Sequence, residues 1–381
     1  MVKSDSYPKM RYQSFQMRQR KIITFILPSF AGGGAERVAI NLLNSIDCKN
    51  FEPHLVVLSS QGPLAKLVKE DIPIKVIGHN RLRDALPNLI FYLRKSKPDI
   101  IFSTFTHISL VLLLVKPLLK KTKFIIREAS LPSANIARMP FSSAMKFLFG
   151  KIYPNADKIL ASSVRMFEEL TIYGIPKNHI QILPNPIDTA ALQKNSVPIS
   201  SSTKGAGRCF IAAGRLRPEK NFPFLLDAMS KISPEDHCII LGEGDQRNLL
   251  EERISQLNLQ DRVTLMGFVD NPAPWVANAD AFLMPSLFEG MPNAALEALA
   301  LGTPVIASPA AGGIGELPSV TIAEPGPDFL RAMQNVPIKR IHKSDFLAPS
   351  LLPDEYDIEN VGRRFNNLIT ELCLLSKKDE S

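Results

Sequence analysis

Short apolar runs alternate with longer helical patterns along most of this chain, and they do so in two separate series. The first series is Ile22–Leu27, Leu55–Leu58, Ile74–Ile77, Ile100–Phe102, Phe124–Ile126 and Ile159–Ala161, with helical patterns such as residues 35–46 between the runs. The second is Cys209–Ala213, Cys238–Leu241, Val263–Met266, Ala281–Met284 and Pro304–Ala307. Apolar runs buried on both faces and separated by helices are the mark of a parallel sheet covered by helices. Two series therefore predict an α/β protein of two Rossmann-like, doubly wound domains facing each other across a cleft. Between the series, residues 193–207 are rich in Ser, Lys and Gly and read as a linker. The expected division is a basic leader over residues 1–21, a first domain over 22–192, a second over 208–355, and a last helix over 356–381 that can pack back on the first.

Composition narrows the class. The chain has 381 residues, enough for two ordinary domains. Its four cysteines are scattered, which argues for reduced thiols in a cytosolic protein and against a disulfide framework or a zinc site. No apolar run reaches the roughly 20 residues that span a bilayer. The charge is divided unevenly: residues 1–194 carry 28 Lys+Arg against 13 Asp+Glu, net +15, and the remainder is net −7. A basic half suggests an anionic surface as partner. Nucleic acid is a poor match, because aromatic residues are few near the basic clusters and no binding motif is present. Anionic membrane is a better one. Residues 110–119 run into Lys120-Lys121-Thr122-Lys123, and residues 138–151 mix bulky apolar with basic side chains. Core helices with solvated lysines would give the same pattern.

Several turns carry residues suited to a polar ligand. Phe288-Glu289-Gly290-Met291-Pro292-Asn293 leads into a helical pattern with Glu297 one turn inside it. Eight residues at 100° each leave the two acids about 80° apart even on one helix, so they would serve different parts of a ligand. Gly32-Gly33-Gly34-Ala35-Glu36-Arg37 follows the first run and opens a helix, where backbone N–H groups favour an anion. It fits neither the dinucleotide fingerprint nor the P-loop, and a tight turn without ligand fits it equally. Gly214-Arg215 and Lys220 occupy the matching turn of the second series. A guanidinium and an ammonium five residues apart can clamp a diphosphate, or they can be ordinary loop charges. His107 follows Ile100–Phe102 and can transfer a proton or cap the next helix. Arg127-Glu128 falls at the same edge. No Asp-x-Asp and no His/Cys cluster of ligand spacing occurs, so no metal is expected.

Taken together these elements resemble the retaining glycosyltransferases of family 4, which have the GT-B fold. The resemblance rests on Glu289 and Glu297 as an E-x7-E element, with Gly214-Arg215, Glu219-Lys220-Asn221, Gly242-Glu243-Gly244, Gly267-Phe268 and Gly302-Thr303-Pro304 around it. Gly33-Gly34 and Leu183-Pro184-Asn185-Pro186 resemble its N-terminal and interdomain elements. The resemblance implies that Glu297 binds a ribose, Arg215 and Lys220 a diphosphate, and Glu289 with the backbone of Gly290 and Met291 the donor sugar. It places Gly33 and Gly34 on the phosphates and acceptor from the opposite domain, and His107 near the transferred sugar. It further implies a UDP-sugar donor, a lipid-linked surface-glycan acceptor such as a lipopolysaccharide precursor, retention of configuration, no metal or other cofactor, and a peripheral position at the inner face of the cytoplasmic membrane. A non-catalytic membrane-associated protein of the same fold is the alternative, and a phosphorylase would need a lysine-bound cofactor for which no signal is present. After Gly312-Gly313-Ile314-Gly315-Glu316-Leu317 the chain departs from the family pattern, entering Pro318-Ser319 without the expected glycine-rich loop and strand.

Overall fold

The computed structural model describes residues 20–79, 81–137, 142–196, 207–339 and 348–378. The first sheet has seven strands: β1 (Lys21–Leu27), β2 (Phe51–Val57), β3 (Ile74–Val76), β4 (Ile100–Ser103), β5 (Lys123–Arg127), β6 (Lys158–Ala161) and β7 (Ile180–Ile182). The second has six: β8 (Cys209–Ala213), β9 (His237–Leu241), β10 (Val263–Gly267), β11 (Ala281–Met284), β12 (Val305–Ala307) and β13 (Val320–Ile322). Their orders are β3-β2-β1-β4-β5-β6-β7 and β10-β9-β8-β11-β12-β13, with every adjacent pair parallel. In each sheet the winding reverses once, between β1 and β4 and between β8 and β11. Ligands of open α/β sheets bind in the crevice at that reversal, beyond the carboxyl ends of the strands. The glycine turn after β1, the Arg215 turn after β8 and the Glu289 loop after β11 all fall there.

Each sheet is covered on both faces by its own apolar cluster, so four cores hold two domains. Helix Ile358–Lys378 follows the second sheet in sequence but packs on the first. Its Val361, Phe365, Leu368 and Ile369 enter the core behind β1, where Phe365 sits edge-on to the stacked Phe25 and Phe102 rings. Burying each such side chain is worth roughly 1.5–3 kcal/mol. Asn366 fixes the register: its Nδ2 donates to the Ser45 carbonyl at 2.8 Å and its Oδ1 accepts from Asp47 N at 2.9 Å. The two chain crossings between domains are bonded to each other, Ile187 N to Tyr356 O and Ile358 N to Ile187 O, both at 2.9 Å.

Three boundaries differ from the sequence expectation. Residues 193–194 belong to helix Thr189–Lys194, which packs on helix Asn293–Ala300 with Gln193 Nε2 donating to Ala300 O at 3.2 Å, so the second domain begins near Ile187. The remaining linker residues 197–206 and the leader residues 1–19 lie outside the described residues. β2 starts at Phe51, four residues before the expected run. Pro53 argues against a strand interior, yet β3 pairs with β2 only from Leu55 onward, so no ladder bond needs the missing N–H. β7 and β13 were not expected. Each is three residues long, too short to show a period, and β13 supplies the strand that seemed lacking after Leu317.

Candidate active site

The two strand-end surfaces enclose a cavity of about 540 Å³. Its lining includes Gly33, Gly34, Arg215, Lys220, Glu289, Gly290, Met291 and Glu297, eight of the nine residues to which the family resemblance gives a role, and Arg127 as well. His107 is the ninth. It stands in the first turn of helix Thr106–Val115, exposed, and is not part of that lining. Residues 138–141 of the basic apolar stretch lie outside the described residues.

On the C-terminal wall, β11 ends in a loop that turns at Ser286–Pro292 and enters helix Asn293–Ala300. Lys220 Nζ donates to Glu289 Oε1 at 2.5 Å, and Ser286 Oγ donates to the same oxygen at 3.0 Å. An ammonium has three N–H donors, so this bond orients Lys220 and leaves it able to meet a second anion. Glu297 sits one turn inside the helix, where burial raises its pKa above the usual carboxylate range while Arg37 of the opposite wall opposes the shift. Glu36 is buried across from Arg215. Desolvation raises its pKa, and both its own backbone hydrogen bond and the Arg215 charge act against that. The charge of Arg215 thus acts on Glu36 and that of Arg37 on Glu297, each from the opposite domain.

The walls touch at the Glu289 loop. Gly290 lies under the segment following β5: a Cβ there would stand 2.5 Å from Ala129 O and 2.8 Å from Ser130 Cα. Only a residue without a side chain lets the loop come this close. Asn185, between Pro184 and Pro186 at the domain boundary, ties the contact together. Its Nδ2 donates to Met291 O at 3.1 Å and to Asn293 Oδ1 at 2.6 Å, and its Oδ1 accepts from Arg127 Nη2. Asn293 Nδ2 in turn donates to Gly34 O at 3.2 Å. Behind Arg127, the fully buried Glu128 accepts from Tyr153 OH and from Thr106 Oγ1 at 3.0 Å, and burial pushes it up to about 7.

Asn185, Asn293 and Glu36 were not singled out from sequence as separate contacts. An asparagine held between two prolines at a domain crossing is the signal that could have pointed to Asn185. The other two are ordinary residues of a helix start and acquire a role only once the domains face each other.

Residues 32–191 match the family described as Glycosyltransferase Family 4, and residues 207–333 match Glycosyl transferases group 1. Among curated proteins the chain is 29% identical over 312 residues to the N-acetylgalactosamine-N,N'-diacetylbacillosaminyl-diphospho-undecaprenol 4-alpha-N-acetylgalactosaminyltransferase of Campylobacter jejuni, covering 76% of this chain and 81% of that one. It is 26% identical over 231 residues to the lipopolysaccharide 1,6-galactosyltransferase of Escherichia coli, covering 57% and 62%. Among solved structures, Anabaena HepE in complex with UDP-glucose superposes with a TM-score of 0.74 at 17% identity, over 92% of this chain and 99% of that one. Two matched domains in the family's order, on two facing parallel sheets, place this chain among the family 4, group 1 glycosyltransferases of the GT-B fold: it is a glycosyltransferase.

Proposed function

We propose that the enzyme moves a sugar from a UDP-sugar to a lipid-linked surface-glycan acceptor, with retention of configuration and without a metal. The observation that carries this is the convergence of Arg215, Lys220, Glu289 and Glu297 on one cavity that is closed by the glycine turn of the other domain. In the reaction the bond from C1 of the donor sugar to the diphosphate oxygen breaks, and its electron pair leaves with the diphosphate. An acceptor hydroxyl oxygen bonds to C1, and its proton passes to the oxygen of the released diphosphate. Arg215 and Lys220 stabilise the charge that develops on the departing diphosphate, the part a metal plays in other transferases. Glu297 accepts hydrogen bonds from the ribose. Glu289, fixed by Lys220 and Ser286, accepts from the transferred sugar, and the N-terminus of helix Gly34–Asn44 faces the phosphates. UDP as the nucleotide and a polyprenyl-diphosphate acceptor are supported by what the structural neighbours hold and by the name of the Campylobacter relative.

Incubating the purified protein with a panel of UDP-sugars and a polyprenyl-diphosphate-linked sugar tests this reading. Transfer that persists in EDTA, with the donor's anomeric configuration in the product, is expected. Absence of both transfer and donor hydrolysis across the panel would sink it.

The acceptor's location is a separate matter. Among the described residues no helix is long and apolar enough to cross a membrane. Helices Thr106–Val115 and Ser142–Ile152 of the basic domain pack on each other and leave Leu114 61% and Phe147 65% exposed, beside Lys146 and Lys151. Apolar side chains among lysines suit the surface of an anionic bilayer, and this supports a peripheral position at the inner face of the cytoplasmic membrane. Sedimentation with anionic vesicles should show binding that weakens as salt rises. Absent or salt-insensitive binding would count against it.

A further inference from the structure

Four cations line the cleft among the described residues, and the charge of an acid acts on each of them. Lys220 is bonded to Glu289, the charge of Arg215 acts on Glu36, and that of Arg37 acts on Glu297. Arg127, on which the charge of Glu128 acts, is the only one of the four that is buried. It ends β5 on the N-terminal wall, is 2% exposed and lines the cavity. Of its five N–H donors, one Nη2 hydrogen goes to the neutral amide of Asn185, and its buried Nε meets no acceptor among the described residues. The neighbouring Glu128 engages both carboxylate oxygens with the hydroxyls of Tyr153 and Thr106.

A buried guanidinium whose Nε meets no acceptor among the described residues is costly even with the charge of Glu128 beside it. If shielding the core were all the position required, an apolar residue would serve better. Asn185 also fixes where the guanidinium stands, because the same amide holds Met291 O and Asn293 Oδ1 of the Glu289 loop. The cation of one domain is thereby tied in register to the sugar-binding loop of the other. A guanidinium presents its donors as a planar fork that matches the oxygens of a phosphate.

We infer that Arg127 is a diphosphate-binding residue of the N-terminal wall, held in place by Asn185 as a positioning residue. It would supply that side of the cleft with a buried cation whose Nε meets no acceptor among the described residues. The inference rests on the reading of the cleft as the donor and acceptor site. Two ligands carry the same chemistry there: the diphosphate of the nucleotide donor and the diphosphate of a polyprenyl-linked acceptor.

Calorimetric titration with UDP, and inhibition of transfer by farnesyl diphosphate with farnesol as the uncharged control, separate the two sources. In Arg127→Gln the affinity for one of the two diphosphates should fall by about tenfold or more, the effect of losing a charge-assisted bidentate contact. Arg127→Lys should recover part of it. Loss confined to UDP assigns the donor, and loss confined to farnesyl diphosphate assigns the acceptor. Unchanged affinity for both in folded Arg127→Gln overturns the inference.

Should Arg127→Gln fail to fold, Arg127→Lys answers the same question, because it keeps the buried charge but loses the planar fork. Its diphosphate affinity should fall below that of the wild type, and unchanged affinity again overturns the inference. Binding of neither diphosphate by the wild type would overturn the proposed function along with it. Wild-type binding that every variant retains would remove only the role of Arg127.

Discussion

The two walls of the cleft are made of different material. The C-terminal wall offers charged side chains at strand ends: Arg215, Lys220, Glu289 and Glu297. The N-terminal wall offers the backbone of Gly33 and Gly34 beside Glu36 and Arg37, with a buried guanidinium at Arg127. Side chains that reach into solvent can be read from local sequence, because a loop after a strand and before a helix presents them whatever lies opposite. A backbone wall has meaning only against its partner. On the proposed function, this difference gives the C-terminal half most of the charged contacts to the donor and leaves the N-terminal half to close over it largely with backbone.

If that division is right, the largest loss should come from the charged wall. Lys220→Ala removes a cation from the leaving diphosphate and should lower kcat by roughly 100- to 1000-fold. Steady-state kinetics with kcat intact would break the comparison at its strongest point. Next comes the meeting of the walls. In Gly290→Ala the new methyl would press on the backbone at Ala129 and Ser130, and a misplacement near 1 Å costs about 100-fold in rate. That loss should appear in turnover while UDP affinity, read by calorimetry, changes little. An equal loss of UDP binding would mean that the N-terminal wall does more than close. Glu297→Gln is milder: exchanging a charged acceptor for a neutral one should weaken UDP by about tenfold. Equal affinity would remove Glu297 from the ribose.

The smallest signal is a slope of stability with pH. Burial lifts Glu128 to about 7, above the 4.5 of an ordinary glutamate. The folded protein thus keeps a proton that the unfolded chain releases in between, so stability should fall as pH rises through that window. One group gives at most about 1.4 kcal/mol per pH unit. Urea titrations of Glu128→Gln should show a flatter profile between pH 4.5 and 7. A profile identical to the wild type would place the titration elsewhere.

What sequence could show follows the same line. The two sheets, the Glu289 loop, the start of the helix at Asn293 and the returning last helix were legible because each rests on a local period or a strand-turn-helix spacing. The Arg127–Asn185–Asn293 contacts were not. They join segments 58 and 108 residues apart, at a boundary where no periodicity operates. β7 and β13 were hidden by their shortness, and the start of β2 by a proline whose tolerance depends on where a neighbouring strand ends. His107 shows the converse: following a strand puts a residue at the right edge, but the side chain's direction is decided by the helix it joins.

The returning helix has a consequence for the order in which the molecule is made. Domains emerging from a ribosome commonly fold as they appear, N-terminal first. Here the core behind β1 lacks Val361, Phe365, Leu368 and Ile369 until nearly the whole chain has been translated. The first sheet to be synthesised is therefore completed only after the second. A ribosome stalled before residue 361 would release it with that face covered only in part, by helix Gly34–Asn44 and the segment around Leu64.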